Sequence, residues 1–528
     1  MTGTFSNPIY KEQFFKIADT LKNDNNFGRI FWIPSRAPLG FASPDHPSTE
    51  ALRFFFKKPF AVGNVGTYEI FNFLREAPFT GELFKISGIK YISYPYPDTR
   101  REDLKKDNID YYYVFLDQIS NLPWIESKIY DAPTPLLKVK DSKDHLFIAP
   151  HTYFIVGSDR IYWDLVKIPE FDLSKNALIF SEEKPGTSKS IDTVSNAKII
   201  LYDKNEIDLT SSLINKSKFI FPASNLNISP STEMNDTPNS RWWKKDTTDF
   251  LWWRNFLQEK YGLNYQDFDY GGGWAIAEGN QKLIIKNDKL HEGDMLLARV
   301  MNSVKGGILQ FYQNEKLGGE IETNRECIKK DYIKLTGYGN IPDKFFEYDC
   351  AYLFWNYVGK LRKSGEITIE TGGDINVINA IVGIPEGEFQ LLESKIPTEK
   401  IFKWYELSES EKKNLFEVKS QPEINYQMIN PAHFRVSIDG IVLPVTLAFS
   451  ETYDPLWEIE EQETGKKNKS YPLYSLINGF AIEKNGEYDV YFSPQKYVLP
   501  GLVVSGVSLF SILALLIFLG RRKKIKAP

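Results

Sequence analysis

The chain has 528 residues, 42% of them hydrophobic and 25% charged, with a formal net charge of -5. That mixture excludes a disordered chain and predicts several compact domains, three or four by length. The acidic balance also argues against nucleic acid as a partner, because a binder of phosphate backbones carries a basic face.

In chain order, "IYKEQFFKIADTLKND" places Ile9, Phe14, Ile17, Ala18 and Leu21 at helical spacing, and "FGRIFWIP" reads as a buried strand stopped by Pro34. "YEIFNFLREAP" follows as a helix, then "GIKYISYP" and "TYFIVGSD" as strands. Helices alternating with strands predict an α/β domain over residues 1–190. Gly157 follows a strand, but no GxGxxG or GxxxxGK[ST] pattern accompanies it, so a phosphate-binding loop is not expected. Residues 191–245 hold one strand-like piece, "AKIILYD", and then a run rich in Pro, Ser and Asn that reads as a connecting segment. The sequons at Asn227 and Asn235 matter only in a host that glycosylates them.

Across 246–392 the character changes. "KLIIKND", "DMLLARVMN", "GGILQFYQN", "YLFWNYVGKL", "GEITIETGG" and "INVINAIVGIP" are short strand candidates between Gly, Asn and Asp turns, the pattern of a β-sandwich. Residues 393–497 are again β-rich and are expected to lie close to a membrane. Val498–Leu519 carries no charge over about 22 residues and would reach about 33 Å as a helix, enough for a bilayer core. The basic tail 520–528, with Arg521, Arg522, Lys523, Lys524 and Lys526, is expected to stay cytoplasmic, which puts the bulk of the chain outside. The start, "MTGTFSNPIYKEQFF", shows no secretory signal pattern that would export it. The fold class expected is therefore α+β multidomain: an N-terminal α/β domain, a central β-sandwich, a membrane-proximal β domain and one C-terminal transmembrane helix.

Outside the cytoplasm, Cys327 and Cys350 could bridge, closing a loop of roughly 24 residues worth about 3 kcal/mol in the chain-entropy model, or stand as separate thiols. Two cysteines do not make a cysteine-based zinc site. His46, His145, His151, His291 and His433 show neither i, i+4 pairing nor an HExxH pattern, so metal catalysis has little sequence support.

The run "DMLLARVMNSVKGGILQFYQNEKLGGEIET", followed by "YLFWNYVGKLRKSGEITIETGG" and "INVINAIVGIP", resembles the jelly-roll carbohydrate-binding modules of families 6 and 35. The words "SGIKYISYP", "LAFSETYDPLW" and "LINGFAIEKNGEYDVYFSPQKY", with the final span, resemble the C-terminal region of GT-C-class membrane glycosyltransferases, including the YfhO-like group. The preceding spans and the catalytic loop of that class have no counterpart here, so no residue inherits a catalytic role. The resemblance implies a non-catalytic extracytoplasmic region belonging to, or partnering, a multi-span membrane glycosyltransferase core, and a glycan or polyprenyl-linked sugar as ligand.

Sugars stack on aromatic faces while amides and carboxylates hold their hydroxyls. The resemblance therefore points to Tyr270, Trp274, Trp355 and Tyr357 as stacking candidates and to Glu278, Asn376 and Asn379 as polar partners. Calcium is the one cofactor it implies, although no dense Asp/Asn run supplies ligands. Glu451 and Asp454 in "SETYDPLW" suggest the paired carboxylates of a glycoside hydrolase, but sequence spacing does not fix their separation, and a structural turn is the expectation.

Overall fold

The computed structural model describes residues 8–33, 41–55, 67–95, 106–183 (without 133, 158–160 and 170), 197–202, 210, 214, 243–245, 257, 261, 263–265, 274–324, 348–394, 398–418 and 421–524. These residues build mostly β-sheet with some helices. The first helix, Pro8–Lys22, seats Ile17 and Leu21 against Ile30, Trp32 and Tyr91. Strand Arg29–Trp32 lies second from the edge of a five-stranded sheet, parallel to Ser48–Glu50 on one side and to the central strand Ile89–Ser93 on the other. Its four residues are all buried, as expected of a parallel strand covered on both faces.

A second sheet is wholly parallel, with strands Asn176–Phe180, His151–Val156, Lys198–Leu201 and Ile401–Lys403 side by side. "NALIF" and "KIIL" are the continuous apolar runs such strands need. The last two of these strands are neighbours in space, yet the whole central sandwich separates them in sequence. That sandwich is thus an insertion between adjacent strands of one sheet.

Its larger sheet carries Trp243–Lys245, Trp274–Glu278, Ile375–Ile384, Met295–Asn302, Tyr348–Lys360 and Leu263–Tyr265 in that order. The smaller carries Lys282–Lys286, Glu366–Gly373, Gly307–Gln313 and Lys316–Glu322. Leu283, Ile285, Leu296, Phe311, Ile367, Ile369 and Ile381 fill the space between them. In "EITIETGG" the inward residues Ile367, Ile369 and Thr371 alternate with outward ones, the period of a strand with one solvated face. Gly307 is required where strands close: a Cβ there would lie 1.7 Å from the Gly372 carbonyl oxygen.

The remaining sheets form a second sandwich. One sheet contains Glu423–Asn430, His433–Asp439, Gly486–Phe492, Trp457–Glu461 and Lys467–Lys469. The other contains Tyr471–Leu473, Ile477–Ile482, Val445–Thr452 and Leu146–Ala149. Leu146–Ala149 comes from the N-terminal stretch and pairs antiparallel with Val445–Thr452. The Thr152 and Thr446 hydroxyls hydrogen-bond at 2.8 Å across the same junction, and one apolar core runs from Phe31 through Phe154 to Ile477. Hydrogen bonding therefore crosses the composition boundaries at 190 and 393, because strand pairing is set by partners distant in sequence.

Strand Gly486–Phe492 leads through the short turn Ser493–Tyr497 into helix Val498–Lys524. This 27-residue helix is long and apolar enough to cross a membrane.

Candidate functional site

The residues expected to bind sugar divide by position. Trp355 is 2% exposed, packed among Leu297, Val382, Phe389 and Leu392. Helix Glu386–Ser394 supplies Phe389 and Leu392 and covers the sheet face that Trp355 occupies, so the indole is packed against protein and not presented to solvent as a stacking platform would be. Asn376 is fully buried, accepting from the Thr323 hydroxyl at 2.8 Å and donating to the Gly372 carbonyl at 2.9 Å. Asn379 is equally buried and accepts from Arg299 Nη1 at 3.0 Å. Both amides satisfy groups inside the sandwich, which is the usual fate of buried polar side chains. Glu278 is half-buried and accepts from the Tyr261 hydroxyl at 2.6 Å, whereas Tyr357 is 42% exposed. The backbone of Trp274 opens strand Trp274–Glu278 and that of Cys350 lies in Tyr348–Lys360, while Tyr270 and Cys327 lie outside the described residues. Among the described residues, no three of His, Cys, Asp and Glu gather as metal ligands.

A different place concentrates polar chemistry. A cavity of about 600 Å³ opens between the first sheet and the second sandwich, walled by Arg29, Glu50, Ser87, Ser450, Glu451 and Thr452 together with apolar side chains. The backbone there is irregular for identifiable reasons. Strand Val445–Thr452 keeps register with its neighbour to Phe449 opposite Asn478, then resumes with Thr452 opposite Ile477, so Ser450 and Glu451 bulge out of the ladder. Bulges re-aim side chains, and this one directs Ser450 and Glu451 to the cavity. Asn478 locks it, donating from Nδ2 to the Glu451 and Thr452 carbonyls at 2.8 and 3.1 Å and accepting from the Asp454 amide at 3.0 Å. The turn into the neighbouring strand places Tyr474 and Ser475 at φ of 55° and 62°, left-handed values that two-residue hairpin turns usually reserve for Asn and Gly. Tyr474 is held there by its hydroxyl, which donates to the Leu173 carbonyl at 2.8 Å.

On the opposite wall, the Arg29 amide donates to the Gly88 carbonyl at 2.7 Å, and its guanidinium Nη2 lies 2.7 Å from Glu451 Oε1. The same oxygen accepts from His145 Nε2 at 2.9 Å. Phe27 stacks on the His145 ring with 3.8 Å between centroids and planes 5° apart. Gly88 makes this junction fit: it sits at φ 66°, and a Cβ would come within 2.7 Å of the Phe27 ring. Burial pushes the Glu451 carboxyl up, but the Arg29 charge and the His145 hydrogen bond outweigh it and hold the group at about 2. Burial lowers the affinity of His145 for a second proton, with Glu451 opposing, so a neutral imidazole donates to an ionised carboxylate. Arg29 Nε and the hydroxyls of Ser87 and Ser450 are buried without a hydrogen-bond partner in the protein. The cavity therefore offers donors and acceptors not already satisfied by the fold.

Sequence reading passed over Arg29 and Ser450 and put Glu451 in a structural turn. Asp454 does serve the turn, accepting from the Leu456 amide at 2.9 Å. The available signal was Arg29 itself, a charge inside the apolar run "FGRIFWIP".

No protein-family model and no curated protein matches the chain. Among solved structures it is similar to the arabinofuranosyltransferase AftD from Mycobacteria, at 8% identity and a TM-score of 0.39, over 95% of this chain and 64% of that one. The chain thus spans less than two thirds of that enzyme's length. A shorter similarity, at 14% identity and a TM-score of 0.16, covers 22% of this chain and 79% of CsCBM6-3 from Clostridium stercorarium, solved in complex with cellobiose. A third, at 10% identity and a TM-score of 0.16, is to a cycloisomaltooligosaccharide glucanotransferase from Paenibacillus sp..

Proposed function

We propose that the chain is a membrane-anchored extracytoplasmic region that accompanies a multi-span GT-C-type glycosyltransferase and recognises a glycan or polyprenyl-linked sugar acceptor, without catalysing a reaction itself. The observation that carries this reading is the apolar helix Val498–Lys524, exposed along its described length and joined to the second sandwich by only the turn Ser493–Tyr497. An anchor this close keeps the β-rich body at a bilayer surface, and the basic residues from Arg521 onward orient it with that body outside. The resemblance of its motifs to those of GT-C proteins and of carbohydrate-binding modules supports the glycan half of the reading. Tyr270, Trp274, Glu278 and Tyr357 stay with it as the sugar-facing group of the jelly roll.

The test is a titration of the full chain, held in lipid nanodiscs, against cell-surface polysaccharides and polyprenyl-linked sugars, with and without calcium. Saturable binding is the expected result, and protease digestion of intact cells is expected to reach the body but not the tail. A second reading, a scaffold that binds no sugar, is favoured by the burial of Trp355, Asn376 and Asn379. Absence of binding to every glycan would leave that scaffold.

A further inference from the structure

We infer that the cavity between the Arg29 strand and the Ser450–Glu451 bulge binds one neutral sugar residue of a glycan presented at the membrane surface. The inference rests on the glycan-recognition reading above and assigns it a location outside the jelly roll.

Three observations converge on this cavity. Its volume of about 600 Å³ falls in the range of small-molecule sites. Its buried polar atoms include hydroxyls without protein partners, Ser87 at 4% and Ser450 at 2% exposure, beside the unpartnered Nε of Arg29. Leaving such groups unmatched costs free energy that a ligand with hydroxyls can recover. Its wall residues Leu476 and Ile477 directly follow a left-handed turn, Tyr474 and Ser475 at φ of 55° and 62°, and such strain in a fold commonly marks the neighbourhood of a binding or catalytic position.

The chemistry selects among ligands. Vicinal sugar hydroxyls both donate and accept, which suits carboxylate acceptors at Glu451 and Glu50, a guanidinium donor and two serines that serve either way. Phe54, Ile89, Leu476 and Ile477 give an apolar wall for the C–H face of the ring. Among the described lining residues Arg29 is the one cation, and Glu451 already offsets it at 2.7 Å, so the cavity holds no spare positive charge for a phosphate or uronate. The location suits a ligand near the bilayer. Beyond Glu451 the chain reaches Leu456, whose carbonyl accepts from the Ser493 amide at 2.9 Å, where the turn into the apolar helix begins.

The full chain in nanodiscs would be titrated by calorimetry and saturation-transfer NMR with neutral methyl pyranosides and furanosides, using methyl glucuronide and glucose 1-phosphate as charged comparators. Thr452→Trp blocks the cavity rim from an exposed position, so the fold is kept, and Glu451→Gln replaces the charged acceptor by a neutral amide. Trp274→Ala reports on the jelly roll. The inference expects a neutral glycoside to bind, to weaken about tenfold or more in Thr452→Trp and Glu451→Gln, and to be unchanged in Trp274→Ala. Binding that survives Thr452→Trp but is lost with Trp274→Ala overturns the cavity assignment while leaving glycan recognition standing. Preference for the charged comparators overturns the neutral-sugar assignment, and no binding of any glycoside or polysaccharide removes both readings.

Discussion

Two buried arginines, one inside the central sandwich and one on the first sheet, show how similar residues come to do different work. Arg299, 1% exposed, meets the neutral amide of Asn379 inside the central sandwich. Arg29, 7% exposed, meets the charged Glu451 at the edge of a cavity, and its Nε has no partner in the protein. Around Asn376 the hydrogen-bonding groups of Thr323 and Gly372 are matched to one another, and the amide lies fully inside. Around Arg29 the hydroxyls of Ser87 and Ser450 are unmatched beside a cavity. A satisfied polar network rigidifies a core, whereas an unsatisfied one beside a cavity is a place for a ligand.

The largest effect that can separate the two regions is expected from Trp355→Ala. Removing a 2% exposed indole from between the sheet and helix Glu386–Ser394 should cost about 3–5 kcal/mol. The measurement is the urea midpoint of the full chain, and glycoside binding at the Arg29 cavity should persist wherever the variant remains folded. An indistinguishable midpoint would mean that Trp355 is not a core residue.

Arg29→Met comes next. It leaves the partly exposed Glu451 carboxylate with His145 but without its cation, at a cost of about 1–3 kcal/mol. Adding Glu451→Gln should restore part of that loss, and the non-additivity of the double variant measures the coupling. Additive effects would show that the pair is not energetically linked.

The pH dependence follows from the same carboxylate. Glu451 titrates at about 2 in the fold against an ordinary 4.5, so its ionised form stabilises the fold above about pH 4.5, and that stabilisation fades as pH falls towards 2. His145, held below its ordinary 6.5, acts in the same direction, since the unfolded chain takes up the proton first as pH drops through that value. Acid unfolding monitored by tryptophan fluorescence should show a contribution of order 2 kcal/mol that Glu451→Gln abolishes.

What could be read in advance follows the range of the interaction. The central sandwich was legible because its signals are local: "EITIETGG" alternates with a period of two, and "YLFWNYVGKL" and "INVINAIVGIP" are apolar runs closed by turns. The helix at Val498 was legible for the same reason. The junction of Leu146–Ala149 with Val445–Thr452 was not, because a register between strands so far apart leaves no local pattern. The burial of Trp355 was also hidden, since period two puts it on one face with Tyr357 and only helix Glu386–Ser394 decides which is covered. The cavity depends on a bulge, a left-handed turn and an arginine drawn from three separated segments.

The smallest expected effect is the most discriminating. The Thr323 hydroxyl accepts from the Gly307 amide at 2.8 Å and donates to Asn376 Oδ1 at 2.8 Å, so Thr323→Val strands two buried groups and should cost about 1–3 kcal/mol. Ser450→Ala removes a hydroxyl that is just as buried but has no protein partner, so the unliganded fold should change by about 0.5 kcal/mol or less. Two buried hydroxyls would then differ in stability cost although they differ little in burial. In the presence of a neutral glycoside the order of importance should shift, with Ser450→Ala weakening binding and Thr323→Val leaving it unchanged, as read by calorimetry on folded protein. Equal stability losses for the two variants would mean that Ser450 has a structural partner after all, and the contrast between a closed polar network and one open to a ligand would fail at the residue that expresses it most simply.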